Sequence, residues 1–192
     1  GGYVYVSTHS IKAASTGNDA DASGEFLRYS FQSNGTIAGS ADWDAGAKLT
    51  TQVENTGWDT NRRVFTMHTS SGPTTFRWAS LSSTQQDVLK KNPITGTADN
   101  NTVGQQRLEW LRGSAAQETA TGLRKRTKTK MGAIINSTPW YVGKPSAGYT
   151  NVDYGGGYNT FRTDNAARNS VFVAANDGMV HAFNGDTGIE QF

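Results

Sequence analysis

The sequence predicts a mostly β chain, an incomplete β-propeller interrupted by a short two-helix insertion. Three observations predict it. Thr, Ser and Asn together number 54 of 192 residues and Gly and Pro 26, while the AVILMFWYC set is only 35%, the composition of short strands joined by polar turns. Strand-like runs bounded by turn residues recur at 3–8, 26–31, 62–68, 74–79, 133–142, 170–175 and 179–184, too short and too evenly punctuated for a helical bundle. A hairpin unit near the N-terminus is also repeated near the C-terminus.

The first copy of that unit is Tyr3-Val4-Tyr5-Val6, a loop, then Leu27-Arg28-Tyr29-Ser30-Phe31, with Asn34-Gly35 and Ile37 beyond. The second is Val171-Phe172-Val173-Ala174, the turn Asn176-Asp177-Gly178, then Met179-Val180-His181-Ala182-Phe183, with Gly185, Gly188 and Ile189 beyond. Each reads as an inner strand, a hairpin, a second strand ending in Phe and a glycine turn, which is the unit of a propeller blade. Residues 9–24 read as an insertion in the first hairpin loop. The copies lie about 150 residues apart, whereas a blade takes roughly 40 to 50. The expectation is one propeller domain held in part: a first blade region at 1–81, a helical and basic insertion at 82–131, and a next, truncated blade region at 132–192. Such a portion leaves strand edges with unpaired backbone groups, so remaining propeller segments are expected partners. The opening Gly1-Gly2-Tyr3 carries neither initiator Met nor signal peptide, and a processed or excised piece is expected.

The two helices announce themselves by their ends. Ser82 or Ser83 can cap a helix running to Lys91, each with Gln three residues on as in a capping box, and Asn92-Pro93 stops it. A second helix runs from about Gln105 to Arg112 and ends at Gly113. Segments 92–104 and 146–160 read as long exposed loops.

Composition also excludes chemistry. Without cysteine there are no disulfides, thiolate zinc sites, iron–sulfur clusters or thiol nucleophiles. No run approaches the roughly 18 apolar residues of a membrane-spanning helix, mean hydropathy is −0.59, and membrane insertion is not expected. The net charge of +2 hides a basic run, Arg124-Lys125-Arg126-Thr127-Lys128-Thr129-Lys130. It could meet nucleic acid, anionic lipid or acidic glycan. It lacks the interleaved aromatics of nucleic-acid grooves, and the alternation at 126, 128 and 130 suits one solvated face of a strand; nucleic acid is not an expected partner.

Candidate sites follow from residue types. Asn18-Asp19-Ala20-Asp21-Ala22-Ser23-Gly24 resembles the opening of a calcium loop, with Asp19, Asp21 and Ser23 as alternate oxygen ligands. Ser30 stands where the twelfth-position Glu would be, so a solvated hairpin tip is the competing reading. Asp42 and Asp44 flank Trp43 like paired catalytic carboxylates, but read more simply as solvated beside a packed Trp. His9, His68 and His181 lack metal-ligand spacing; His181, between Val180 and Ala182, reads as a satisfied structural histidine. Gly155-Gly156-Gly157 has no following Lys-Ser/Thr and no helix to make a phosphate cradle, and no Gly-x-Ser-x-Gly elbow occurs. No catalytic residues and no enzyme activity are expected. Tyr149, Tyr154 and Tyr158, in a glycine-rich loop, are the candidate partner-binding residues. Trp58, Trp78, Trp110 and Trp140 are expected mainly in blade cores.

Three strings carry a family resemblance. Trp110-Leu111-Arg112-Gly113, then Gly132-Ala133-Ile134-Ile135-Asn136-Ser137-Thr138-Pro139-Trp140-Tyr141-Val142-Gly143, then Val171 through Phe183 with its Asn176-Asp177-Gly178-Met179-Val180-His181-Ala182-Phe183 core, resemble successive signatures of the PilC/PilY-type type IV pilus tip proteins. Val4-Tyr5-Val6, Trp43-Asp44-Ala45 and Phe76-Arg77-Trp78-Ala79-Ser80-Leu81-Ser82 fit the same order, so the likeness spans nearly the whole chain. It implies the start of a C-terminal β-propeller with quinoprotein-like blades, binding to minor pilins, and support of pilus assembly, twitching motility and adhesion to a host or abiotic surface. The implied place is the cell surface or pilus tip of a Gram-negative bacterium. The family's calcium loop would fall beyond Phe192. Ser114 and Ala133 depart from an Asp common in relatives. Two other classes share the blade pattern: quinoprotein dehydrogenases, which need a cofactor cage and calcium ligands, and outer-membrane assembly scaffolds, which lack the Ile-Ile-Asn-Ser and Trp-Leu-Arg-Gly strings.

Overall fold

The computed structural model describes residues 2–15, 20–150 and 155–192. They form three small antiparallel sheets and five α-helices, so the chain is mixed α/β where a mostly β chain was expected, and the described residues close no propeller ring. The first sheet holds β1 (Tyr3–Lys12), β2 (Asp21–Ser30) and β3 (Trp43–Asp44); helices α1 (Ala45–Gln52) and α2 (Gly57–Thr60) follow. A hairpin of β4 (Phe65–His68) and β5 (Gly72–Thr75) leads to α3 (Ser83–Lys90) and α4 (Asn101–Arg112). The third sheet holds β6 (Trp140–Val142), β7 (Ser170–Ala174) and β8 (Val180–Asn184), with α5 (Tyr158–Asp164) between β6 and β7.

Local chemistry explains the helix ends. Ser82 accepts from the Gln85 N–H and Gln85 reaches back to the Ser82 N–H, completing the capping box. Asn100 caps α4 through the Val103 N–H, so this helix starts four residues earlier than the hydrophobic pattern suggests and takes the end of the expected 92–104 loop. Gly113 ends α4 at φ +122°, where a β-carbon would lie 2.9 Å from the Val53 side chain. Three helices, α1, α2 and α5, escape a strand-centred reading. Asp44 accepts from the Gly46 and Ala47 N–H groups and nucleates α1 despite its two threonines. α5 opens directly after Gly157, where no helix was expected, and buries Tyr158.

The repeated unit is present as two hairpins. β1 pairs β2 from Tyr3↔Ser30 to Lys12↔Asp21, so the ladder takes up half of the expected 9–24 insertion. β7 pairs β8 from Ser170↔Asn184 to Ala174↔Val180. In both copies the chain turns back onto the second strand, at Phe31↔Ile37 and Phe183↔Glu190. Further backbone bonds lay residues 189–192 along β8: Asn184 N–H to Ile189 O, Gln191 N–H to Ala182 O, and Ala182 N–H to Phe192 O. The expected 133–142 strand is broken at Asn136, whose φ is +59°, a conformation no strand accommodates.

One core joins the copies. Phe26, Trp43, Ala45, Leu49 and Val53 meet Met131, Ile134, Val171, Val173 and Phe183. Phe26 and Phe183 sit with ring centroids 5.8 Å apart, and the Trp43 indole N–H donates to Gly185 O at 3.1 Å. By sequence alignment of the copies Phe31 matches Phe183, yet Phe31 is 42% exposed and Phe26 takes the buried place. Phe26→Ala is therefore expected to cost about 3–5 kcal/mol in urea denaturation, whereas Phe31→Ala should cost under about 1 kcal/mol. Equal losses would show that the burial assignment is mistaken.

Candidate functional site

The residues singled out by sequence are mostly engaged in holding the fold. Asp19 lies outside the described residues. Asp21 is buried, and its carboxylate accepts from Arg124, from the Thr127 N–H (2.7 Å) and hydroxyl (3.0 Å), and from the Lys128 N–H. These are the oxygens a calcium ion would require. Ser23 is buried beside it on β2. Among the described residues no group of three or more His, Asp or Glu side chains is placed to hold a metal. Asp42 is not simply solvated: it pairs with Arg28 at 3.0 Å and accepts from the Ser30 hydroxyl at 2.7 Å. Asp44 is spent on the α1 cap. His68 accepts from the Ser70 and Ser71 N–H groups at the β4–β5 turn.

The basic run is no strand face. On a strand the even positions would share one side, but here they divide into two couples four residues apart. Arg124 and Lys128 reach Asp21 and Glu25 on β2. Arg126 and Lys130 converge on Glu118 at 2.6 and 2.7 Å. Burial pushes the Glu118 carboxyl up, but Lys130 and Arg126 together hold it below its ordinary value. Lys125 is exposed, and among the described contacts of the five cations it alone has no acidic partner. A cavity of 630 Å³ opens beside the run, over Val53, Trp58 and Gly113, with both signs of charge on its rim: Glu54, Glu109 and Lys128.

Of the tyrosines, Tyr154 lies outside the described residues. Tyr158 is 7% exposed and its hydroxyl accepts from the Ala147 N–H. Tyr149 is 49% exposed and meets the Tyr158 ring edge-on at 5.5 Å. The more extensive exposed aromatic surface lies elsewhere. Trp140 is 72% exposed and stands opposite Phe172 in the β6–β7 ladder; Phe172 meets Phe192 at 5.9 Å, and Phe192 meets Phe65 at 6.4 Å. Sequence reasoning assigned Trp140 to a blade core, because a strand pattern does not say which of its two faces finds a partner.

The signature strings have structural meaning. In Trp110-Leu111-Arg112-Gly113, the Trp110 ring lies under the Arg126 guanidinium at 4.4 Å and its N–H donates to Arg124 O. Leu111 O accepts from Arg62. Arg112, 1% exposed, donates to the carbonyls of Phe76 (3.2 Å) and Trp58 (3.1 Å), tying α2 and the β5 strand end to α4. Burial, followed by the nearby Arg77 charge, lowers its pKa from the ordinary arginine value. In the last string His181 is buried in a charged chain. Its Nδ1 lies 2.6 Å from Glu190 and its Nε2 3.0 Å from Asp177. Glu190 also accepts from Arg62 at 2.7 and 3.0 Å, and Asp177 from the Gly132 N–H at 3.0 Å. Burial alone would lower the imidazole pKa, but the two carboxylates raise it to about 9. Both carboxyls are in turn held below their ordinary values against the opposing effect of burial.

The chain is similar to known proteins. Over 191 residues, 93% of the chain, it is 32% identical to the type IV pilus biogenesis factor PilY1 of Pseudomonas aeruginosa strain UCBPP-PA14. Over 129 residues it is 39% identical to the factor of the same name in strain PAK, and over 114 residues 40% identical to a PilY1 homologue of Xylella fastidiosa. The chain is homologous to a segment of PilY1-type proteins. It spans 15%, 11% and 9% of the length of these relatives, respectively. No protein-family model matches it, and no solved structure does. Among the described residues no helix is long and apolar enough to cross a membrane.

Arg112→Lys is expected to lower stability by about 1–3 kcal/mol, because an ammonium cannot span carbonyls that the planar guanidinium reaches together. Chemical denaturation measures it. A wild-type midpoint in the Lys variant would show that the carbonyl clamp is energetically idle.

Proposed function

We propose that this segment serves type IV pilus biogenesis as a structural and interaction element rather than as an enzyme. Under this reading residues 1–81 and 132–192 are two blade regions of a propeller and 82–131 an insertion between them. The propeller meets minor pilins at the pilus tip, outside a Gram-negative cell, and through them supports assembly, twitching and surface adhesion. The relatives' name supports the pilus role. The observation that carries the interaction role is a run of aromatic side chains in which Trp140, Phe192 and Phe65 are exposed and Phe172 is half-buried; it spans the β6–β7–β8 sheet, whose opposite face is buried against the first repeat, and the neighbouring β4. Exposed aromatic surface of this extent is what a neighbouring blade or partner protein buries. The segment's polar clusters are occupied by one another, which supports a non-enzymatic reading.

The test is a chimera. In a pilus-bearing Gram-negative host, the matching stretch of its own PilY1-type factor is replaced by this chain. Pili, twitching and co-purification with minor pilins are expected to be retained. Trp140→Asp combined with Phe192→Asp is expected to abolish them while the isolated chain keeps its circular dichroism spectrum and melting temperature. Normal pili in the folded double variant would refute the assignment of this surface; normal pili after deletion of the whole stretch would refute the biogenesis role.

A further inference from the structure

The charged chain at His181 is more than a static cross-link. Ionised carboxylates are acceptors only, so an imidazole placed between Asp177 and Glu190 must donate from both nitrogens, which only the imidazolium can do. Its ring stacks on Phe183, with centroids 5.7 Å apart and planes 8° apart. The two acceptors are not equally held. Glu190 keeps two bonds from Arg62 whatever the ring does. Asp177 uses one oxygen, Oδ2, for both the His181 ring and the Gly132 N–H. Gly132 carries no side chain where a β-carbon would lie 2.5 Å from the Asp177 nitrogen. Beside it the Asn176 N–H donates to Ala133 O at 2.8 Å. These contacts close the β7–β8 turn over a cavity of 200 Å³ lined by Trp110, Met131, Arg124, Arg126 and Lys130.

We propose that His181 and Asp177 form a protonation-dependent latch, which fastens the β7–β8 turn to residues 131–133 and releases it when the ring loses one proton. A neutral ring retains its Nδ1–H for the shorter contact to Glu190 and turns an Nε2 lone pair towards Asp177 Oδ2. Repulsion then displaces the oxygen that also holds Gly132. The charged groups facing the ring are Asp177 from the turn and Glu190 from the returning strand, with Arg62 behind Glu190. Beyond Asp177 stand Arg124, already on Asp21, and Arg126 and Lys130, already on Glu118. Folding raises the imidazole pKa, so the stabilisation is fully present below the unfolded value of 6.5 and is lost as pH rises through about 9. The carboxylates contribute above their unfolded values of 3.8 and 4.5 and lose that contribution only as pH falls through their lower folded values.

Amide hydrogen exchange by NMR on the intact chain tests the latch, with rates corrected for intrinsic base catalysis. Between pH 8 and 10, protection of the Gly132 and Asn176 amides is expected to fall by about tenfold or more. The Gln191 and Val171 amides should hold, since Arg62 still secures Glu190. In Asp177→Asn the atom at the Oδ2 place either accepts from Gly132 or donates to a neutral Nε2, not both, and with one carboxylate charge gone the step should move down by about 1–3 pH units. In Glu190→Gln the step should likewise move down by about 1–3 pH units. A wild-type chain with no step, a step at an unchanged pH in Asp177→Asn, or loss of Val171 protection together with Gly132 would each overturn the proposal.

Discussion

The meeting of Phe26 with Phe183 organises this molecule, because it forces the two ends of the chain into one core. Arg28 and Gly185, which meet at the same junction, are 157 positions apart. Closing so long a loop costs only slightly more entropy than closing one half its length, but it must be offset by contacts that form together. Here they do. Phe26 lies on Trp43, and Trp43 donates to Gly185. The Trp43 ring also occupies the place of any side chain at Gly188, whose φ is +70°. Once the two hairpins are seated, the middle of the chain has few options. α1 is anchored directly behind β3 by Asp44, and residues 124–132 must pass along β2 to reach the second copy.

That passage explains how the basic run is used. Five cations in seven residues would repel one another in water, but Asp21, Glu25 and Glu118 divide four of them into two couples. Backbone bonds then fix the strap: Gly24 N–H donates to Met131 O at 3.2 Å, and the Thr129 hydroxyl to Gly24 O at 3.0 Å. A surface pair contributes little on its own. Arg126 and Glu118, 6% and 8% exposed, are a different case, since breaking one partner strands a buried charge. The run therefore reads as a fastening between the repeats, and its charge is largely spent inside the molecule.

Features governed by near neighbours along the chain are legible in the sequence. The Ser82–Gln85 box, the Gly113 stop and the two hairpins depend on residues a few positions apart, and they appear where those residues place them. Asp44 is an exception: its cap partners, Gly46 and Ala47, are two and three residues on, and the strand-like reading around Trp43 hides them. Features governed by partners far along the chain are not legible. The strand-like apolar pattern of 133–142 gives no sign that Asn136 will adopt a left-handed conformation and split it. The identity of the buried phenylalanine in the first repeat, Phe26 rather than Phe31, is a question of which strand face looks inward, and a period of two leaves that choice to the partner sheet. His181 is legible as structural from its apolar neighbours, but Glu190 and Arg62 are not, because their partner is set by the fold.

A weld made of Arg62, Glu190, His181 and Asp177 is not the most stabilising way to join two sheets. Well-packed apolar side chains of similar volume often serve as well or better, because desolvating charges offsets much of their attraction. What a charged chain adds is selectivity among near-equivalent packings. The returning segment 189–192 could slide by two residues along β8 and keep the same side chains facing inward. Such a slip would leave His181 away from Glu190 and Arg62 without an acceptor, in surroundings where an unpaired charge is costly. Phe26 and Phe183 supply attraction with little preference for register. The acid–base chain supplies the preference, and the string that carries family likeness, Asn176-Asp177-Gly178-Met179-Val180-His181-Ala182-Phe183, contains both in eight residues. That string therefore fixes the second hairpin against its own returning strand, where the attraction of Phe183 alone would leave the register open.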